Sequence, residues 1–115
     1  MKTYHGSCHC GAIRYQADID PAAGTVKCNC TICSKMRFWA AIVAPIAFRL
    51  LQGGESMREY RLHARGDAPG SGPFVAVTIA SLDDMAVDEM LAGPVRYIDG
   101  RNDNWRTPPM EIRHL

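Results

Sequence analysis

Apolar and polar residues alternate with period two through Ile13-Arg14-Tyr15-Gln16-Ala17-Asp18-Ile19, the pattern of a strand that buries one face, and Asp20-Pro21 ends it. Phe38-Trp39-Ala40-Ala41-Ile42-Val43 is apolar on both faces, which suits a central strand, and Pro45 stops it. Glu59-Tyr60-Arg61-Leu62-His63 alternates again. Phe74-Val75-Ala76-Val77-Thr78-Ile79-Ala80 has the strongest strand propensity and is entered from the Gly- and Pro-rich turn at residues 68–73. Only two places read as helical. One is a single turn after Pro45; the other covers residues 86–91, with Asp83 or Asp84 as N-cap and Gly93-Pro94 as the stop. Residues 101–109 have no period and read as loop. The pattern predicts a mainly β fold.

At 115 residues the chain fits a single domain, residues 1–115. A domain of this size buries only about two-thirds of its unfolded surface, so metal cross-links would add noticeably to its stability. A hydrophobic fraction of 47% and a charged fraction of 22% are those of an ordinary globular protein. The formal net charge of +1 gives no reason to expect nucleic acid or a membrane as partner. Met1-Lys2-Thr3-Tyr4-His5-Gly6-Ser7 carries no apolar signal region, and the apolar stretch at residues 38–48 is broken by Pro45, short of the ~18 residues of a membrane span. The expected compartment is the cytoplasm, where thiols stay reduced.

That expectation changes how the five cysteines read. They fall in the first third of the chain, as Cys8-His9-Cys10 and Cys28-Asn29-Cys30-Thr31-Ile32-Cys33. Thiolates bind soft tetrahedral cations, so clustered Cys in a reducing compartment point to zinc before disulfides. In an extended Cys-x-Cys both side chains project to one face, which pairs Cys8 with Cys10 and makes His9 a poor ligand. The pair reads as half of a metal site, with two buried small residues or a redox couple as the alternatives. The second run can curl until three sulfurs converge on one ion. Three ligands leave a position open for water or substrate, which makes Cys28, Cys30 and Cys33 the candidate reaction centre, unless a fourth protein group closes it. Trp105, in the polar stretch Asn102-Asp103-Asn104, is a candidate pocket wall, whereas Phe38 and Trp39 read as core. His5, His9, His63 and His114 lack metal-type spacing, and Met57, Met85, Met90 and Met110 read as gap-filling or surface residues.

Taken in order, Gly6-Ser7-Cys8-His9-Cys10-Gly11-Ala12-Ile13-Arg14-Tyr15, Cys28-Asn29-Cys30-Thr31-Ile32-Cys33-Ser34-Lys35, Leu82-Asp83-Asp84, and Pro94-Val95-Arg96-Tyr97-Ile98-Asp99-Gly100-Arg101-Asn102-Asp103-Asn104-Trp105 resemble the glutathione-dependent formaldehyde-activating enzyme family, which is related to the centromere protein V domain. The resemblance implies a small zinc-binding domain of packed, twisted antiparallel sheets with one or two short helices. It also implies that Cys8 and Cys10 are structural zinc ligands, and that Cys28, Cys30 and Cys33 hold the zinc of the reaction centre. The family pattern has a further Cys-x-x-Cys that completes the structural site, expected near residues 63–66. Here the chain passes from Arg61-Leu62-His63-Ala64 directly to Arg65-Gly66-Asp67. Cys8 and Cys10 alone would hold zinc weakly. His63 can substitute as a ligand, though an alternating strand favours an ordinary histidine there.

The activity implied is carbon-sulfur bond formation, the reverse of a lyase reaction, with zinc as cofactor and glutathione, or a related thiol, as co-substrate for formaldehyde or a small aldehyde. A free thiol is only a few per cent thiolate at neutral pH, and coordination to a cation favours the nucleophilic form. Three cysteinates make the site anionic. Lys35 and Arg37 can offset that charge and meet a glutathione carboxylate, or belong to a solvated turn. A non-catalytic zinc module that binds a protein is the other class of function the resemblance allows. The chain carries no signal of oligomeric state.

Overall fold

The structure is a computed structural model and describes residues 1–58 and 73–115. Two sheets face each other across one apolar layer. The first consists of β1 (Lys2–Ser7), β2 (Arg14–Ile19) and β5 (Phe48–Gln52), antiparallel in the order β1-β2-β5. The second contains β3 (Thr25–Cys28), β4 (Trp39–Val43), β6 (Val75–Thr78) and β7 (Val95–Ile98) in the order β6-β4-β3-β7. β7 runs parallel to β3 while the other pairs are antiparallel, so this sheet is mixed. With the helices α1 (Thr31–Met36) and α2 (Val87–Met90), the fold is small and mainly β.

The alternation in β2 has its expected effect, since Tyr15, Ala17 and Ile19 are buried while Arg14, Gln16 and Asp18 are not. They meet Tyr4 from β1, Ala41 and Val43 from β4, and Val77, Ile79, Leu82 and Met85 from β6 and the turn beyond it. β4 is central, as its apolar run predicts, although Ile42 remains 46% exposed. Gly6 lies directly beneath the Tyr15 ring, where a Cβ would come within 2.2 Å of it, and Tyr15 in turn stacks on Phe48 at 5.1 Å. Trp39 packs against this core and donates its Nε1–H to Thr25 Oγ1 at 2.6 Å. Met85 is core, Met90 packs against it, and Met57 and Met110 are exposed.

The structure departs from the sequence reading in several places. β1, β3, β5 and β7 form where no strand is predicted, because their sequences show no clear period and their hydrogen bonds come from pairing with neighbouring strands. Residues 31–36 form α1 where none is predicted, and the turn after Pro45 is a 3-10 turn, Pro45–Ala47. The predicted helix at 86–91 shortens to Val87–Met90, and its N-cap is Ala86, whose N–H is accepted by Glu89 Oε1 at 3.1 Å. Asp83 and Asp84 bond β1 instead: the Asp84 carboxylate accepts from the His5 N–H at 2.8 Å, and Asp83 accepts from Ser7 Oγ at 2.8 Å. The strand expected at residues 59–63, with His63, and the 63–66 segment lie outside the described residues, as do residues 68–72 of the predicted turn.

Candidate metal centre

The parallel pairing of β3 with β7 puts Cys28 opposite Ile98, so both strands end side by side and their following loops meet. The next residue of β3's chain, Asn29, is 6% exposed and fully bonded. Its N–H donates to Ile98 O at 3.1 Å, and its Nδ2 donates to Asp99 Oδ1 at 2.7 Å. Its Oδ1 accepts from the Arg101 N–H at 2.9 Å, and its carbonyl accepts from Ser34 Oγ at 3.0 Å and Arg101 Nε at 3.1 Å. Asp99 is also buried and takes two further bonds from Asn102 Nδ2, each 3.0 Å. Asn102 first, then Asn29, holds its carboxyl below the usual range. This polar knot fixes both loops.

Above the knot the chain turns into α1, with Cys30 at its N-cap and Cys33 one turn on, so the i,i+3 spacing brings both sulfurs to one side. Arg37 ends the helix with φ of 54°. The Sγ atoms of Cys28, Cys30 and Cys33 all lie within 4.8 Å of one another, each half-buried. Among the described residues no fourth Cys, His, Asp or Glu ligand atom joins them. The Cys28 thiol is lowered to about 5, chiefly because the Cys33 thiol donates to it, with the Cys30 and Gly100 amides adding to the effect against burial. Cys33 is pushed up correspondingly by that donation and by burial. Three convergent cysteine sulfurs suit a soft cation such as zinc.

Gly100 permits this approach. A Cβ there would stand 2.6 Å from Cys28 Sγ and 3.0 Å from the Trp105 ring. Trp105, a candidate from the sequence, therefore lies beside the cluster, with its Nε1–H donated to Asp103 Oδ1 at 2.6 Å. It also walls a cavity of about 360 Å³ that runs along β7 and includes Arg96, Arg106 and Pro108. Lys35 is exposed in the last turn of α1. The Arg37 guanidinium donates to the His114 carbonyl. Asn29, Asp99, Gly100 and Arg101 were not predicted as site residues; the available signal was an Asn inside the cysteine run and the polar, glycine-containing stretch that leads to Trp105.

Cys8 and Cys10 also come together, with their sulfurs 3.2 Å apart. The segment is a turn, whereas the pairing of the two sulfurs is expected from an extended Cys-x-Cys: the Gly11 N–H bonds the Cys8 carbonyl at 2.9 Å, and Gly11 has φ of 78°. The Ile13 N–H donates to Cys8 Sγ at 3.3 Å, and this bond is the first cause of a Cys8 pKa lowered to about 7. Among the described residues this pair gains no third ligand. Nor does any helix among them have the length and apolarity to cross a membrane. A family model described as glutathione-dependent formaldehyde-activating enzyme matches residues 3–85, which include both cysteine groups and stop short of β7 and Trp105. No solved structure matches the chain.

Proposed function

Since the chain belongs to the glutathione-dependent formaldehyde-activating enzyme family, we propose that it joins the thiol of glutathione, or of a related thiol, to formaldehyde or a small aldehyde. The product would be S-hydroxymethylglutathione or its analogue, and the reverse reaction is a carbon-sulfur lyase reaction. One observation carries this reading: three cysteine sulfurs lie within 4.8 Å of one another without a fourth candidate ligand among the described residues. On this reading Cys28, Cys30 and Cys33 hold zinc, and residues 1–115 work as one domain in the reducing cytoplasm. Bound there, zinc supplies a Lewis-acidic position at which a thiol is held in its nucleophilic, ionised form.

The chain's own groups tune that position. The Cys30 N–H, 3.4 Å from Cys28 Sγ, spreads the negative charge of the sulfur cluster, which eases the approach of an anionic thiol. Trp105 walls the side next to Gly100 and limits water there. Arg96 and Arg106, along the neighbouring cavity, offer guanidinium groups to glutathione carboxylates, and Lys35 offers a further cation. Arg37 would have to leave the His114 carbonyl to take part. Magnetization-exchange nuclear magnetic resonance of formaldehyde with glutathione tests the proposal. Wild-type protein accelerates the exchange and Cys30→Ala does not; equal acceleration by that variant would remove the reading.

A further inference from the structure

The Cys8–Cys10 pair lies outside this chemistry. A structural zinc needs four protein ligands. With five cysteines in the chain and three of them gathered at the other centre, the pair's site has at most two thiolates. Protein contacts brace the turn from several sides. The Cys8 N–H donates to the Ile13 carbonyl at 3.2 Å, the Gly11 N–H closes onto the Cys8 carbonyl, and the Ile13 N–H reaches Cys8 Sγ. From β5, Gln52 Nε2 donates to the Gly11 carbonyl at 3.2 Å and the Ala12 carbonyl at 3.4 Å. Gly53 packs so closely on Ala12 that a Cβ would fall 2.2 Å from its carbonyl oxygen. Two sulfurs 3.2 Å apart are thus kept side by side, Cys10 exposed and Cys8 half-buried.

We propose that Cys8 and Cys10 form a thiol-disulfide exchange site that closes reversibly to an intramolecular disulfide against low-molecular-weight disulfides such as oxidised glutathione. The exposed Cys10 thiolate attacks one sulfur of the small disulfide, whose sulfur-sulfur bond breaks and expels one thiolate. A mixed disulfide stands on Cys10. The Cys8 thiolate then attacks the Cys10 sulfur and expels the second thiolate. Two protein thiols lose two electrons and two protons, and the small disulfide gains both as two thiols. A Cys-x-Cys bridge closes a small ring, and strained, exposed bridges are the readily reduced kind, so the pair would follow its redox surroundings.

The test equilibrates the full-length, zinc-loaded protein with graded ratios of reduced to oxidised glutathione, followed by acid quenching, alkylation and peptide mass mapping. The expected result is loss of two hydrogens confined to the peptide holding Cys8 and Cys10, restored by dithiothreitol, with Cys28, Cys30 and Cys33 still alkylated. In Cys8→Ser the expected species carries one glutathionyl group on Cys10. If Cys8 and Cys10 stay reduced across the series, whether or not a second zinc per chain protects them, the proposal fails. It fails equally if each sulfur takes its own glutathionyl group without ring closure. These readouts do not depend on formaldehyde exchange, so the site stands or falls apart from the proposed activity.

Discussion

Replacing Asn29 by alanine tests whether the polar knot beneath the cysteine cluster is what holds it. The change deletes the Nδ2 donor to Asp99 at 2.7 Å and the Oδ1 acceptor of the Arg101 N–H at 2.9 Å. A hydrogen bond to a charged group contributes roughly 1.5–3 kcal/mol, and a buried donor left without a partner costs roughly 1–3 kcal/mol. Neighbouring losses are not additive, and Asp99 keeps its two bonds from Asn102. The expected destabilisation is therefore about 3 kcal/mol, equivalent to a fall of about 10 °C in Tm for a domain of this length. Urea unfolding of the metal-free protein measures it apart from any metal. Asn29→Asp is the companion variant: it preserves shape but faces Asp99 with a second carboxylate, so its deficit should shrink as acid protonates one of the two. If Asn29→Ala unfolds within about 0.5 kcal/mol of wild type, the order of the two loops comes from elsewhere.

Three more outcomes follow from particular contacts. Tyr4, fully buried, donates its hydroxyl to Glu89, and its pKa is raised from 10.0 to about 12 by burial first and that bond second. The neutral phenol's contribution is complete below pH 10 and is lost as pH rises through about 12, so alkaline unfolding in that window should weaken in Tyr4→Phe, as followed by circular dichroism. The Tyr4 hydroxyl also holds the Glu89 carboxyl below its ordinary value, and that contribution is present above the unfolded pKa and lost as pH falls through the depressed one. The wild-type advantage over Tyr4→Phe should accordingly vanish in acid, and a gap that ignores pH would contradict this. Gly100→Ala places a methyl 2.6 Å from Cys28 Sγ, so zinc affinity measured against a chromophoric chelator should fall at least tenfold; unaltered affinity would mean the loop yields freely.

The strands with a strong local pattern were legible: β2 by alternation, β4 by its unbroken apolar run, and β6 by propensity. β3 and β7 were not, because four-residue strands such as Thr25–Cys28 and Val95–Ile98 show too little period and exist through pairing with each other. α1 was hidden for a related reason, since Thr31–Met36 buries no residue and carries no amphipathic stripe. The convergence of the cysteine triplet was legible, because chemistry restricts what three close thiols can do. Its supports were not. Asn29 and Asp99 are 70 positions apart and become partners only when β7 lies parallel to β3, a long-range fact with no local signature. The sulfurs of Cys8 and Cys10 meet as their spacing suggested, but across a turn closed at Gly11 and not along an extended backbone.

An anomalous-diffraction map at the zinc absorption edge, from crystals of protein purified with zinc, is the most direct trial of the three-sulfur centre. The account predicts one strong peak per chain bonded to the sulfurs of Cys28, Cys30 and Cys33, with a small molecule or solvent as the fourth neighbour. A map with no peak among those three sulfurs, or with a fourth side chain closing the coordination, would contradict it.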